Sequence, residues 1–364
     1  MSMLDNIRKN LKKRQGGGGP QDNSIFTFWN IGTGDSSTLR FLPFTDPYSG
    51  AFWTEKVTVP MNFSDNENPN GLIRFSAPCL EMYGSDDTCP VLNHVRALYK
   101  ESKSLRNSGQ ESEAKKMEKI AGAHWKKLMY YFQGFVIKPG FTEESVPENP
   151  IRVFPLNKQL FQVIQSSILS EEDPFDILPS GEFTVEDVKE FVSGGDIDPE
   201  IFNGFNFMVK KNMKGGPHGD YPDWLTGSGW SRKETSLTEE QLSAIDKYGL
   251  HDLSARLPDR PTQEQLDVLE EMVQVSIDRL ITGENGVWRP EWEEAGFKPF
   301  RLNSNSDSSN SKPENTRSYS SSTDSSSSDT DSSSDNTNED SGSTTTSSSS
   351  LAEQIRNRVK NRQS

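Results

Sequence analysis

The chain has 364 residues, with 54 acidic against 39 basic side chains and a formal net charge of −15. That total excludes reading a polyanion partner from bulk charge, because such a partner needs basic groups gathered on one face with the acids elsewhere. Two cysteines make no disulfide framework, and no stretch approaches the apolar length of a membrane span.

The first 20 residues read as a basic arm with its own linker. Residues 3–15, MLDNIRKNLKKRQ, taken as a helix, set Leu4, Ile7 and Leu11 on one side. Arg8, Lys9, Lys12, Lys13 and Arg14 supply the charge. The four glycines 16–19 then detach the arm as a flexible tether. No apolar segment of the secretory type is found here, so a secretory signal is not expected.

Residues 21–300 hold the apolar side chains that a core requires. SIFTFWNI, STLRFLPF and AFWTEKVTVPM, within 24–61, read as strands bounded by Gly, Pro or Asp. From 90 to 122 the composition turns to helix formers, with Leu92, Val95, Leu98 and Leu105 near helical spacing. Strand character returns in KLMYYFQGFVIKPG (127–140) and IRVFPL (151–156), with a helix at 158–168. FNFMVKKNMKGG (205–216) reads as a strand running into a Gly-rich loop. Beyond Ser236 the chain reads as helical: Thr238 with Gln241, and Thr262 with Gln265, are capping-box pairs. The order of strands, helical insertion, strands and helices predicts an α+β fold, a small β-barrel with insertions.

The last segments change class again. From 301 to 350 the chain is almost entirely Ser, Thr, Asp, Asn and Gly, a composition expected to be disordered because it cannot bury enough surface to offset its ordering entropy. Residues 351–363, LAEQIRNRVKNRQ, then repeat the arm without a gap: Ile7 falls on Ile355, Arg8 on Arg356, Lys12 on Lys360 and Arg14 on Arg362. One basic peptide thus occurs twice. It either competes with the first copy for any surface on which that copy docks, or binds phosphates or a partner directly.

Sequence signals of catalysis are absent: there is no P-loop, no G-x-S-x-G and no H-E-x-x-H. His94, His124, His218 and His251 are scattered, and no enzymatic activity is expected. What recurs is aromatic beside cationic. Lys126 and Lys127 precede Tyr130, Tyr131 and Phe132; Lys210, Lys211 and Lys214 precede Tyr221 and Trp224. Single-stranded nucleic acid asks for this pairing, with cations on the phosphates and rings stacked on bases for about 1–3 kcal/mol each. The bland alternative makes the rings core and the lysines a solvated edge. Alternation in LMYYF puts Tyr130 and Phe132 on one face and Tyr131 on the other, so not all of them can face one strand of DNA.

LRFLPF, CLEMYGSDDTCPV, KKLMYYFQGFVIK and FNFMVKKNMKGG, in this order, resemble the single-stranded DNA-binding (helix-destabilising) protein of T-even-type bacteriophages. So does the plan of basic arm, core and Ser/Asp-rich tail. The resemblance spans most of residues 1–235 and reaches the tail by composition. It implies an OB-fold core whose cleft holds single-stranded DNA between Lys126, Lys127, Tyr130, Tyr131 and Phe154, with Tyr221 at or beside another cleft position. It also implies cooperative filaments through the arm, replication and recombination partners at the acidic tail, and the cytoplasm of an infected bacterial host. A family cleft tyrosine falls on Asp86, with Tyr83 as a nearby substitute. The family's zinc site departs further. Cys79 and Cys89 match two of its thiols, but Leu92 and Asn66 stand where the other thiol and the histidine belong, and His94 falls two residues late. A closed four-ligand site is therefore not expected, and no cofactor is called for. The competing reading is an acidic scaffold or virion-associated protein assembled through its two terminal peptides.

Overall fold

A computed structural model describes residues 24–65, 71–84, 89–143, 146–170, 177–216, 219–282 and 286–302. The basic arm with Arg8, Lys9, Lys12, Lys13 and Arg14, the Ser/Asp tail, the terminal peptide, Asn66, Asp86 and His218 lie outside the described residues. In chain order the strands are β1 (Ser36–Phe41), β2 (Thr54–Ser64), β3 (Leu72–Pro78), β4 (Lys127–Lys138), β5 (Ile151–Leu156), β6 (Asn203–Lys210), β7 (Asn212–Lys214), β8 (Tyr221–Asp223), β9 (Gly229–Ser236) and β10 (Phe300–Leu302). The helices are α1 (Pro90–Asn107), α2 (Glu111–Ala123), α3 (Lys158–Leu169), α4 (Val185–Val192), α5 (Glu239–Tyr248), α6 (Gln263–Thr282) and α7 (Glu291–Glu294). The fold is mixed α+β with antiparallel pairing between the strands. The chain divides into two compact units, whose boundaries fall near the starts of β2 and β4.

The first unit takes in 24–47, 51–54 and 129–256. Its strands follow the order β5-β4-β1-β6-β9, each pair antiparallel. β5 and β9 end this ribbon unpaired with each other, so the sheet is open. The closed barrel expected from the sequence is therefore not formed among the described residues. Its ring core follows from alternation: Phe41 stacks on Phe132 at 4.7 Å and on Phe207 at 5.6 Å, and meets Phe154 at 5.9 Å. A second core, on α4 and α5, gathers Phe135, Ile151, Phe183, Val188, Phe202, Leu242 and Ile245. β1 and β4 approach so closely at Gly134 that a Cβ there would lie 2.0 Å from the Arg40 carbonyl oxygen. Only glycine fits.

The second unit takes in 48–50, 55–128 and the described residues beyond 257. β2 alternates cleanly: Val57, Val59, Met61 and Phe63 are buried, while Lys56, Thr58, Pro60 and Asn62 are half-exposed. It pairs with β3, which pairs with β10. The buried face packs under α1, α2 and α6, with Leu92, Val95, Leu269, Met272, Trp288 and Trp292 in one cluster.

Several sequence expectations need adjusting. SIFTFWNI forms only a single bridge at Ile25 and a 3-10 turn at Phe28–Asn30, because Phe26, Phe28 and Ile31 are all buried on one irregular segment. FNFMVKKNMKGG is two strands, broken at Lys211. β3, β8, β9 and α4 carry no prior expectation. Both capping boxes form as read: Thr238 with Gln241, and Thr262 with Gln265.

Candidate nucleic-acid interface

The nine residues singled out for DNA contact fall in both units. Lys126 and Lys127 belong to the second; Tyr130, Tyr131, Phe154, Lys210, Lys211, Lys214 and Tyr221 belong to the first.

In the second unit the two lysines differ. Lys126 Nζ lies 2.5 Å from Glu81 Oε2, and Arg96 Nη2 lies 2.6 Å from Glu81 Oε1. Burial alone would raise the Glu81 carboxyl, but these two cations more than offset it and hold its pKa below the ordinary value. Lys126 therefore neutralises an internal acid. Lys127 is exposed at the start of β4; burial of its stem and the like charge of Arg74 both lower its pKa. Tyr83 is buried and donates its hydroxyl to the carbonyls of Pro258 (2.8 Å) and Asp259 (3.0 Å). It is a structural tyrosine with no ring face to offer.

In the first unit the aromatics separate into two sets. Phe154 is fully buried, and Tyr130 is 5 % exposed with its ring stacked on Phe161 at 3.6 Å and 6°. Turning such a ring outward would forfeit about 1.5–3 kcal/mol of burial, as much as a base stack returns at about 1–3 kcal/mol. Those rings stay in the core. Tyr131, on the other face of β4, is half-exposed opposite Pro155. Burial raises its hydroxyl pKa, against a smaller opposite pull from Arg256.

The lysines at the end of β6 are differently placed. Lys210 lays its aliphatic stem over Gly227, and its N–H donates to Ser228 Oγ at 2.9 Å. Gly227 and Ser228 line an open groove of about 420 Å³ together with Thr38, Asn206, Met208 and Trp230. The register places Thr38 opposite Met208 on one side and opposite Lys138 on the other. Directly paired residues point to the same face, so exposed Lys138 borders the groove face. Met208 is 39 % exposed, giving the groove a mainly apolar floor edged by Thr38, Asn206, Ser228 and Ser231.

Next along the chain, Lys211 donates to the Trp29 carbonyl at 2.8 Å and sits 5.8 Å from the Trp224 ring centroid. Burial lowers its pKa. Trp224 is buried, held edge-on by Phe28 at 5.2 Å, and Trp29 is half-exposed beside them. The β7–β8 hairpin then sets exposed Lys214 opposite half-exposed Tyr221. No carboxylate oxygen of a described residue lies within 4 Å of Lys138, Lys210, Lys211 or Lys214. Sequence reasoning missed Lys138, Met208, Trp29 and the 227–231 lining. The Gly-Ser-Gly-Trp run at 227–230 was the available signal, since small residues open a floor beside an aromatic.

Among the described residues, Leu92 is buried in the apolar core and the His94 Nε2 faces Glu270 at 3.9 Å, so neither stands with Cys79 and Cys89 as a further donor. Among the described residues no group of three or more His, Cys, Asp or Glu is arranged to hold a metal, and no helix is long and apolar enough to cross a membrane. No family model matches the chain, and no curated protein matches it.

Proposed function

We propose that this chain binds single-stranded DNA without sequence preference, through the first unit. One observation carries the reading: Lys138, Lys210, Lys211 and Lys214 have no carboxylate within ion-pair distance among the described residues; Lys138 and Lys210 border an open groove, Lys211 reaches the carbonyl of half-exposed Trp29, and Lys214 pairs across from half-exposed Tyr221. In a protein with a net charge of −15, basic side chains left unpaired beside ring faces are the arrangement a phosphate backbone with unstacked bases would use. The tripartite resemblance to the phage helix-destabilising proteins supports the same reading. It extends it to an OB-type use of the sheet face, to cooperative coating of DNA through the basic arm, and to recruitment of replication and recombination proteins by the acidic tail in the infected cell. No catalytic step is involved.

The test is a titration of intrinsic Trp and Tyr emission with poly(dT) at several salt concentrations, with duplex DNA as control. Quenching by the single strand, weakening steeply as salt rises because bound cations release counterions, is the expected result. Unchanged emission, together with no gel shift at low salt, overturns the reading and favours the acidic scaffold.

A further inference from the structure

The fold leaves two polar side chains in the groove of the first unit without a partner among the described residues. Thr38 pairs with Met208 across β1 and β6, and Arg40 pairs with Asn206. Directly opposed residues share a face, and so do residues two apart on one strand. Thr38, Asn206 and Met208 therefore stand on one face, and all three line the groove. The other groove hydroxyls are taken up by the backbone. Ser228 Oγ accepts the Lys210 N–H at 2.9 Å; Ser231 Oγ accepts the Asn206 N–H at 3.1 Å and donates to the Lys233 carbonyl at 3.0 Å. The Asn206 carboxamide and the Thr38 hydroxyl, both on half-buried residues, bond to no described residue.

A carboxamide presents an acceptor oxygen and a donor nitrogen side by side in one plane. The Watson–Crick edge of every base presents the complementary pair. Adenine and cytosine offer an amino hydrogen beside a ring nitrogen; guanine and thymine offer a carbonyl oxygen beside a ring N–H. Turning the carboxamide over exchanges its two ends, so one asparagine matches all four bases. In a duplex those edges are occupied by the partner strand; in a single strand they are open. The rest of the groove suits such a guest. Met208, 39 % exposed, gives a ring face an apolar bed. Lys138 and Lys210, with no carboxylate in ion-pair reach among the described residues, border the groove where phosphates would run. Its volume of about 420 Å³ falls within the range of small-ligand pockets, about 300–1,000 Å³.

We propose that Asn206, with Thr38 beside it, recognises the unpaired Watson–Crick edge of one base lying on Met208, so that the groove tells single strand from duplex without telling one base from another. The inference rests on the proposal that the first unit binds single-stranded DNA, and it supplies the selectivity of that site. Phosphate contacts position a strand but do not report whether its bases are paired. A stacked ring face is open to any base; an open base edge belongs to the single strand alone.

The experiment titrates the full chain against dye-labelled oligo(dT), the same oligomer built from N3-methylthymine, oligo(dC) and duplex DNA, read by anisotropy. The N3-methyl group blocks the base edge and keeps the ring face and the phosphates. The wild-type chain is expected to bind the methylated oligomer about fivefold more weakly than oligo(dT), the scale of one net hydrogen bond. Asn206→Ala is expected to bind oligo(dT) and oligo(dC) each about fivefold more weakly, to keep its duplex binding and its melting midpoint, and to lose the distinction between methylated and unmethylated thymine. Equal wild-type affinity for the two thymine oligomers overturns the inference. So does a variant that still distinguishes them, one whose loss is confined to a single base, or one whose loss falls equally on duplex. The wild-type comparison needs no variant, so a poorly folding Asn206→Ala does not blunt the test. Tight binding of oligo(dT) with no response to methylation removes this inference and leaves the functional reading standing; no binding to any single strand removes both.

Discussion

The sequence places a pair of lysines ahead of tyrosines at 126–131 and a trio of lysines ahead of Tyr221 and Trp224 at 210–224, and the two regions turn out to be chemically unlike. In the second unit, Lys126 is tied to Glu81, which also holds Arg96. In the first unit, Lys210, Lys211 and Lys214 have no acid within ion-pair reach among the described residues, and a backbone carbonyl and a tryptophan ring take up Lys211. A cation beside an aromatic says little until its counter-charge is known. An acid 45 residues upstream decides the matter for Lys126.

The largest effect that sharpens this contrast is on stability. Phe154→Ala removes a ring buried against Phe26 and Phe41, and is expected to cost about 3–5 kcal/mol in urea unfolding. The fraction still folded should bind poly(dT) as before. A variant that keeps its stability and loses DNA binding would place Phe154 at the strand and break the division between core rings and groove rings.

Next comes the lysine set. Lys210→Ala with Lys214→Ala is expected to weaken poly(dT) binding by about 2 kcal/mol at 0.1 M salt, and to flatten the plot of log K against log salt by about 1.4. Each phosphate contact on a single strand contributes roughly 0.7 to that slope. An unchanged slope would show that these lysines hold no phosphates.

A smaller effect tests how closed the second unit's polar interior is. His124 is fully buried; its Nδ1 lies 2.9 Å from the Ile120 carbonyl and its Nε2 2.8 Å from Ser276 Oγ. The Ile120 carbonyl can only accept, which assigns the proton to Nδ1; Ser276 Oγ accepts the Asn62 N–H at 3.0 Å, and its one proton is shared between Nε2 and the Asn62 carbonyl at 3.2 Å. Burial, outweighing the Ile120 hydrogen bond, lowers the His124 pKa below its ordinary 6.5. The folded state therefore binds this proton less readily than the unfolded chain does. Stability is complete above pH 6.5 and falls as pH drops below it, by at most about 1.4 kcal/mol per pH unit. His124→Gln should abolish that slope in urea unfolding at a series of pH values; a wild-type stability that stays flat down to about pH 5.5 would refute the buried neutral imidazole.

How much of this was legible depended on the range of the deciding interaction. Capping boxes at Thr238 and Thr262 are local, and they form as their spacing says. Strands with clean alternation, such as β2, were visible for the same reason. β3 was not: its LIRFSAP puts Arg74, Phe75 and Ser76 in succession without two-residue periodicity, and its place is set by pairing with β2 and β10. Barrel closure is less legible still, because it depends on whether the last strand finds the first, which no local pattern encodes. At the site, Lys210 was readable from its neighbours. Lys138 was hidden because only the register opposite Thr38 brings it to the groove face. Tyr130 could be assigned to the core only once Phe161 was known to lie flat on it.

The smallest expected effect on DNA is the most direct test of the opening contrast. Lys126→Met keeps most of the apolar stem of the side chain and removes its charge. If Lys126 serves only Glu81, poly(dT) affinity and its salt slope stay as in the wild type, while the carboxylate retains Arg96 but loses its shorter contact. The loss should appear as reduced stability of roughly 1 kcal/mol or somewhat more, since hydrogen bonds to charged groups contribute about 1.5–3 kcal/mol and Arg96 remains to share the acid. Glu81→Gln supplies the reciprocal arm: it leaves Lys126 without its acid, and any gain in DNA affinity would mean that the glutamate was withholding a cation from the strand. A fall in salt slope in Lys126→Met, matching that of the Lys210 and Lys214 variant, would mean that the ion pair opens on DNA and that both lysine sets face phosphates.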